Sequence, residues 1–163
     1  MPPSQRVAPR TRGRISTLPY AGLQLRAVAF ILDMLVLMSF GMLFAAAGAA
    51  YLVIDSNRHD GNISDSASYV VVAIMLAYVF LFAPLYHVLM WSWFGQTVGK
   101  MAVHIQVTMR DGDRVPLRRS VLRLIGLGLA MLPLFLGVLI ALFDREKRGL
   151  HDHLAGTVVV EVP

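Results

Sequence analysis

LQLRAVAFILDMLVLMSFGMLFAAAGAAYLVI, residues 23–54, is the stretch whose reading decides the fold. It holds two charges, Arg26 and Asp33, and from Met34 to Ile54 there are 21 residues with none. About 20 apolar residues in a helix cross a hydrocarbon layer of ~30 Å, so this segment is long enough to span a bilayer. Its excess length leaves the lipid boundary open. If the helix starts at Leu23, Arg26 lies among headgroups and Asp33 near the midplane; if lipid begins near Met34, both are interfacial topology signals.

Outward from this run the pattern repeats. Residues 55–68 are polar and turn-rich, with Asp55, Asp60 and Asp65 against Arg58. Tyr69 to Met90 then carries no charge, contains Pro84, and is followed by Trp91 and Trp93, residues that collect at membrane interfaces. A third apolar run, residues 124–143, contains Pro133. Its length suits a crossing, but a crossing would put Arg145, Lys147 and Arg148 on the side away from the other basic flanks. A kinked re-entrant segment keeps both of its ends on one side, so the two arrangements stay open.

The composition agrees with lipid as solvent. Hydrophobic residues make up 56% of the 163-residue chain and charged residues 15%, against about 25% charged in soluble domains. The net charge of +5 is carried in clusters flanking apolar runs, not in one exposed stripe, which argues against nucleic acid as a partner. Residues 1–20 form a basic arm with four arginines and no acid, expected to be disordered and retained. Six Lys and Arg between residues 94 and 123, against one in the loop 55–68, place the arm and the later loop in the cytoplasm. Within that loop, about residues 101–117, alternating Val103, Ile105, Val107 and Met109, a turn at Asp111-Gly112 and Val115 to Leu117 predict a β-hairpin, with Thr157 to Val162 as a further strand. The fold expected is thus an all-α membrane protein: two transmembrane helices (residues 23–54 and 69–90), a third Pro-kinked membrane segment (residues 124–143), a cytoplasmic β-hairpin and a C-terminal strand. Residues 21–163 form its membrane domain.

Chemistry-bearing motifs are few. Arg26 and Asp33 are seven apart and share a helical face, about 10 Å apart along the axis. An intramembrane carboxylate makes Asp33 a candidate proton or cation site with Arg26 as its countercharge. Gly95-Gln96-Thr97-Val98-Gly99-Lys100 has three residues between its glycines where a phosphate loop has four, and Met101 stands where that loop needs Ser or Thr. Gly95 and Gly99 are read as a sharp turn, with Lys100, Trp91 and Trp93 as interfacial anchors. His151-Asp152-His153 falls short of the three or four converging ligands that zinc needs. Gly41, Ala45 and Gly48 form a small-residue face suited to close helix approach. Without cysteine, a nucleotide fingerprint or an ordered catalytic triad, neither enzyme activity nor a cofactor is expected.

Taken in order, Arg26, Asp33, the Gly95–Lys100 turn, Phe143-Asp144, Arg148-Gly149-Leu150-His151-Asp152 and Leu154-Ala155-Gly156-Thr157 resemble the RDD family of bacterial membrane proteins, from about Tyr20 to Val160. The resemblance implies a multi-pass inner-membrane protein and assigns Arg26 and Asp33 to the family arginine and first aspartate. Asp152 is the best match for the second aspartate, with Asp144 competing, and His153 replaces the usual arginine. Asp144, Arg145 and Arg148 would then join Arg26 and Asp152 in one charge network. A transporter or transport-system subunit is the expected function, working with the bilayer and with a second copy or another membrane protein. The alternative is a scaffold that recruits a partner through its hairpin and C-terminal strand.

Overall fold

The computed structural model describes residues 18–131, 140–141 and 144–163. Helix α1 runs Leu23–Arg58, and α2 follows at Asp65–Ala77. Ser64 caps α2 by accepting from the Ala67 N–H at 3.2 Å, and Asp55 holds Ser64 in turn through hydrogen bonds of 2.8 Å to its amide and its hydroxyl. Tyr78–Phe82 continues α2 as one π turn, with the Ala83 N–H donating to the Tyr78 carbonyl, and α3 completes the rod at Ala83–Trp93. Pro84, which has no N–H, sits just beyond this turn. A widened turn beside proline absorbs the missing hydrogen bond without breaking the helix.

The α1 and α2–α3 rods are long enough to cross a bilayer, and their apolar side chains face outward. Phe80 is 74% exposed, Tyr69 73% and Met42 72%. Such continuous apolar surface requires lipid or a partner, since water-soluble monomers rarely leave patches of more than a few hundred Å² uncovered. Between the rods, Gly41 meets the Tyr78 ring and Gly48 meets Val71. The small-residue face thus serves contact within the chain. Phe44 packs on Tyr78 and Phe82 at centroid distances of 5.3 and 6.0 Å, and the Tyr78 hydroxyl donates to the Leu37 carbonyl.

Past α3 the chain turns through Gly95 at φ +70°, a left-handed conformation that favours glycine. The short helix α4, Val98–Ala102, leads to strand β1, Ile105–Met109. After a turn, α5 occupies Leu117–Met131; α6, Leu150–Ala155, and strand β2, Thr157–Glu161, end the fold. β1 and β2 pair antiparallel, from Ile105 opposite Glu161 to Met109 opposite Thr157. On its other side β2 takes the N-terminal stretch: Ala21 N–H donates to Val159 and Glu161 N–H to Pro19, both at 2.9 Å. The core gathers here, at the base of the rods, from Ala21, Ala29, Trp91, Ile105, Val107, Val115 and Val159.

Three expectations change. The hairpin does not form: Val115 is buried in the core, Pro116 has no N–H to offer a ladder, and helix begins at Leu117, so among the described residues β1 pairs with β2 alone. The third helix starts at Leu117, ahead of the apolar run at Leu124, and takes in Arg118 and Arg119, which are exposed, and Arg123, which is buried. The described residues flanking the 124–143 run also lie at the same end of the rods. Arg123 touches Asp152, Lys147 donates to the Tyr20 carbonyl at 3.3 Å, and Arg110 pairs with Glu146 at 3.0 Å. A single straight crossing would set those ends about 30 Å apart. Pro133, at which the sequence puts the kink, lies outside the described residues.

Candidate functional site

Asp33 is 2% exposed and does not pair with Arg26. Its Oδ1 accepts from the Gly99 N–H at 2.8 Å and the Tyr86 hydroxyl at 3.0 Å, and its Oδ2 from the Thr97 hydroxyl at 2.5 Å. Tyr86 relays the clamp, since its oxygen also accepts from the Val98 N–H at 3.0 Å. Asp33 therefore satisfies the free Gly99 amide at the start of α4 directly, and Tyr86 that of Val98, where a carboxylate is also favoured by the peptide dipoles. Gly99 must be glycine here: a Cβ would overlap the Ala29 carbonyl oxygen and come within 2.9 Å of the Asp33 amide and carboxyl carbon. The Gly95–Lys100 motif is thus a lock of a loop onto α1.

Arg26 pairs instead with Asp152, 126 positions away, at 2.5 Å. Asp152 is wholly buried and shared: Arg123 Nη1 lies 2.7 Å from its other oxygen and also donates to Thr157 Oγ1 at 2.8 Å. The Gly149 N–H adds a third donor at 3.2 Å. Burial alone would raise the Asp152 pKa, but Arg123, His151 and Arg26 together hold it well below the usual carboxylate range. Of the two aspartates that competed for the second signature position, only Asp152 reaches the family arginine. Asp144 forms a separate, shallower cluster, accepting from the Arg148 amide and Nε at 3.0 and 2.9 Å, with Glu146 3.0 Å from the same Nε. Arg145 is exposed. The single network expected from the resemblance is therefore two.

Lys100 and Trp91 are not headgroup anchors. Trp91 is 2% exposed, whereas Trp93 is 60% exposed. Lys100 turns inward with its ammonium 5.1 Å from the centre of the Trp91 ring, and the Arg123 guanidinium lies at the same distance from that ring. Burial, with repulsion from Arg123, lowers the Lys100 pKa to about 7 against the pull of Asp33 and Asp152. His151, also displaced by burial, falls to about 4 and is neutral at physiological pH.

These groups enclose a cavity of about 250 Å³ between α1, α3, α5 and α6. Its polar lining is Arg26, Lys100, Arg123, the neutral His151 and the carboxylate of Asp33; Leu23, Ala27, Phe30 and Leu127 bring its apolar wall. Reading the sequence missed Arg123, Lys100 and Tyr86 as members of the site. Arg123 had been counted as a topology charge and Lys100 as an anchor; the one available signal was that both sit at the edge of apolar runs with no acid nearby in sequence.

Two exposed apolar rods standing on a charged, strand-bound base define a helical membrane protein. Residues 20–156 match the RDD family, and the chain belongs to that family. It is 30% identical over 141 residues, 86% of this chain and 80% of the relative, to "Uncharacterized membrane protein YteJ" of Bacillus subtilis. It is also 35% identical over 77 residues, 47% of this chain and 42% of the relative, to "Uncharacterized protein RP437" of Rickettsia prowazekii. No solved structure matches.

Proposed function

We propose that this RDD-family chain is a multi-pass protein of the bacterial plasma membrane, its arm and strands cytoplasmic, that binds an anion as a carrier or as a subunit of a transport system. The observation that carries this reading is the cavity in which Arg26, Lys100 and Arg123 converge. Arg26 and Arg123 balance the carboxylates of Asp33 and Asp152, and Lys100, with a pKa of about 7, adds positive charge as it takes up a proton in a site walled by apolar groups, where charge is screened weakly. Asp33 serves this site as a positioning residue: its two oxygens already take three donors, which leaves it poorly placed to shuttle a proton or hold a cation. Two rods and a short base enclose little volume, so passage across the membrane requires a second copy or another membrane protein against the exposed apolar faces. The scaffold alternative loses support because the recruiting hairpin is absent and β2 is buried along most of its length.

The test is anion binding by the full chain in phosphatidylcholine nanodiscs, followed as a shift in unfolding temperature with inorganic phosphate and pyrophosphate. A saturable rise that Lys100→Met weakens is expected. Equal responses of wild type and Lys100→Met, or none in either, overturn the reading.

A further inference from the structure

Four residues lining the cavity each carry a buried nitrogen that has no hydrogen-bond partner among the described residues: Arg26 Nη2, Trp91 Nε1, Arg123 Nε and His151 Nδ1. Arginine and tryptophan nitrogens can only donate, and the histidine nitrogen donates in one of its tautomers. An unmet buried donor is costly, and several around one space call for a ligand rich in acceptor oxygens. Lys100 adds an amine, protonated below about pH 7, with no salt-bridge partner among the described residues, and Asp33, the carboxylate in the lining, is already taken by three donors. This set repels a metal ion and suits a tetrahedral oxyanion, which can accept from several directions at once.

The other wall tells where the oxyanion comes from. Leu23, Ala27 and Phe30 follow one another along a single stripe of α1, and Ala27 and Phe30 are exposed on the surface that also carries the apolar side chains of the rod. Arg26 stands one turn from the start of that helix, which is headgroup depth if α1 spans the bilayer from Leu23. At about 250 Å³, below the ~300–1,000 Å³ of most small-molecule sites, the cavity takes a headgroup but not a whole lipid. We infer that the cavity binds the phosphate of an anionic lipid admitted sideways from the bilayer past Ala27 and Phe30, with the acyl chains left lying along α1. This rests on the anion-binding reading and names its ligand class. Phosphate on its own would meet the same donors and leave the apolar stripe unused.

Unfolding temperature of the full chain in a neutral maltoside detergent, titrated with short-chain phosphatidylglycerol, short-chain phosphatidylcholine and inorganic phosphate, tests both levels. Phosphatidylglycerol is expected to act saturably at a concentration at least about tenfold below that of inorganic phosphate. Phosphatidylcholine, whose choline brings a cation toward Lys100 and Arg123, is expected to act more weakly. Lys100→Met should remove the phosphatidylglycerol response, while Arg145→Gln, which deletes an exposed cation outside the cavity, should keep it. Ala27→Trp, which narrows the lipid-facing entrance of the cavity, should weaken the phosphatidylglycerol response more than the inorganic phosphate response. Equal potency of inorganic phosphate and phosphatidylglycerol, or indifference of the lipid response to Ala27→Trp, overturns the lipid inference and leaves the anion site standing. No response to any anion, or the same loss in Lys100→Met and Arg145→Gln, overturns both.

Discussion

Asp152 is the residue on which most of the buried charge depends. It separates two guanidiniums, so removing its charge leaves Arg26 and Arg123 facing each other without compensation. Breaking a buried pair in this way costs roughly 3 to 5 kcal/mol, and Asp152→Asn is expected to lower the unfolding temperature in detergent accordingly. Exchanging the charges, Arg26→Asp with Asp152→Arg, should not rescue stability, because the new arginine would meet Arg123 where the carboxylate now lies 2.7 Å from it. Recovery to the wild-type temperature would mean that Arg26 alone matters to Asp152. His151 sets a different prediction. Its pKa is about 4 folded against 6.5 for the free side chain, so the unfolded chain binds more protons between those values. Its contribution to stability is complete above pH 6.5 and is lost as pH falls towards 4. Unfolding temperature should begin to drop below about pH 6.5, and His151→Gln should flatten that slope; an identical slope in the variant would remove His151 from the account. The sequence displayed Arg26, Asp33 and Asp152 as a set, but their pairing was hidden. Spacing of seven on a helix suggested Arg26 with Asp33, and only tertiary contact, 126 positions apart, shows that each answers to a different part of the chain.

At the level of elements, α4 is five residues long, too short to persist as an isolated helix. It exists because Asp33, Thr97 and Tyr86 satisfy its start and because Gly99 lets it press on α1. Gly99→Ala should cost ~1 to 3 kcal/mol by overpacking, and Asp33→Asn a similar amount by weakening the clamp. Both should displace Lys100 and so reduce phosphate binding beyond the loss of stability, read by titration well below the unfolding temperature. Normal binding in a destabilised Asp33→Asn would detach the clamp from the site. Long elements were legible because 21 charge-free residues admit little else. Short ones were not: Val115 to Leu117 has strand-like residues, yet Pro116 and the helix behind it claim them, and Thr157 to Glu161 supplies a longer run of β-branched residues to β1.

Across the whole molecule, the positive flanks and the strand pairing argue for the same sidedness by independent routes. The first counts arginines and lysines; the second places Tyr20, β1 and β2 in hydrogen-bonded contact. Because the chain lacks cysteine, single cysteines at Glu161 and at Arg12 can be labelled with an impermeant thiol reagent in intact and in opened cells. Both are expected to react only after opening, while a cysteine at Asn62 reacts in intact cells. Labelling of Glu161 and Asn62 from the same side would contradict a crossing by α1, which separates residue 62 from the strands.

The thread of β2 between β1 and residues 19–21 joins the start of the described chain to its end. During synthesis, Arg26 would enter the membrane region more than a hundred residues before its carboxylate exists. Until then the half-made protein holds an open seam and an uncompensated cation, the kind of intermediate that quality-control proteases recognise. Loss of the final ten residues should therefore act less like a trimmed tail than like a clasp that never shuts, exposing the whole base to degradation.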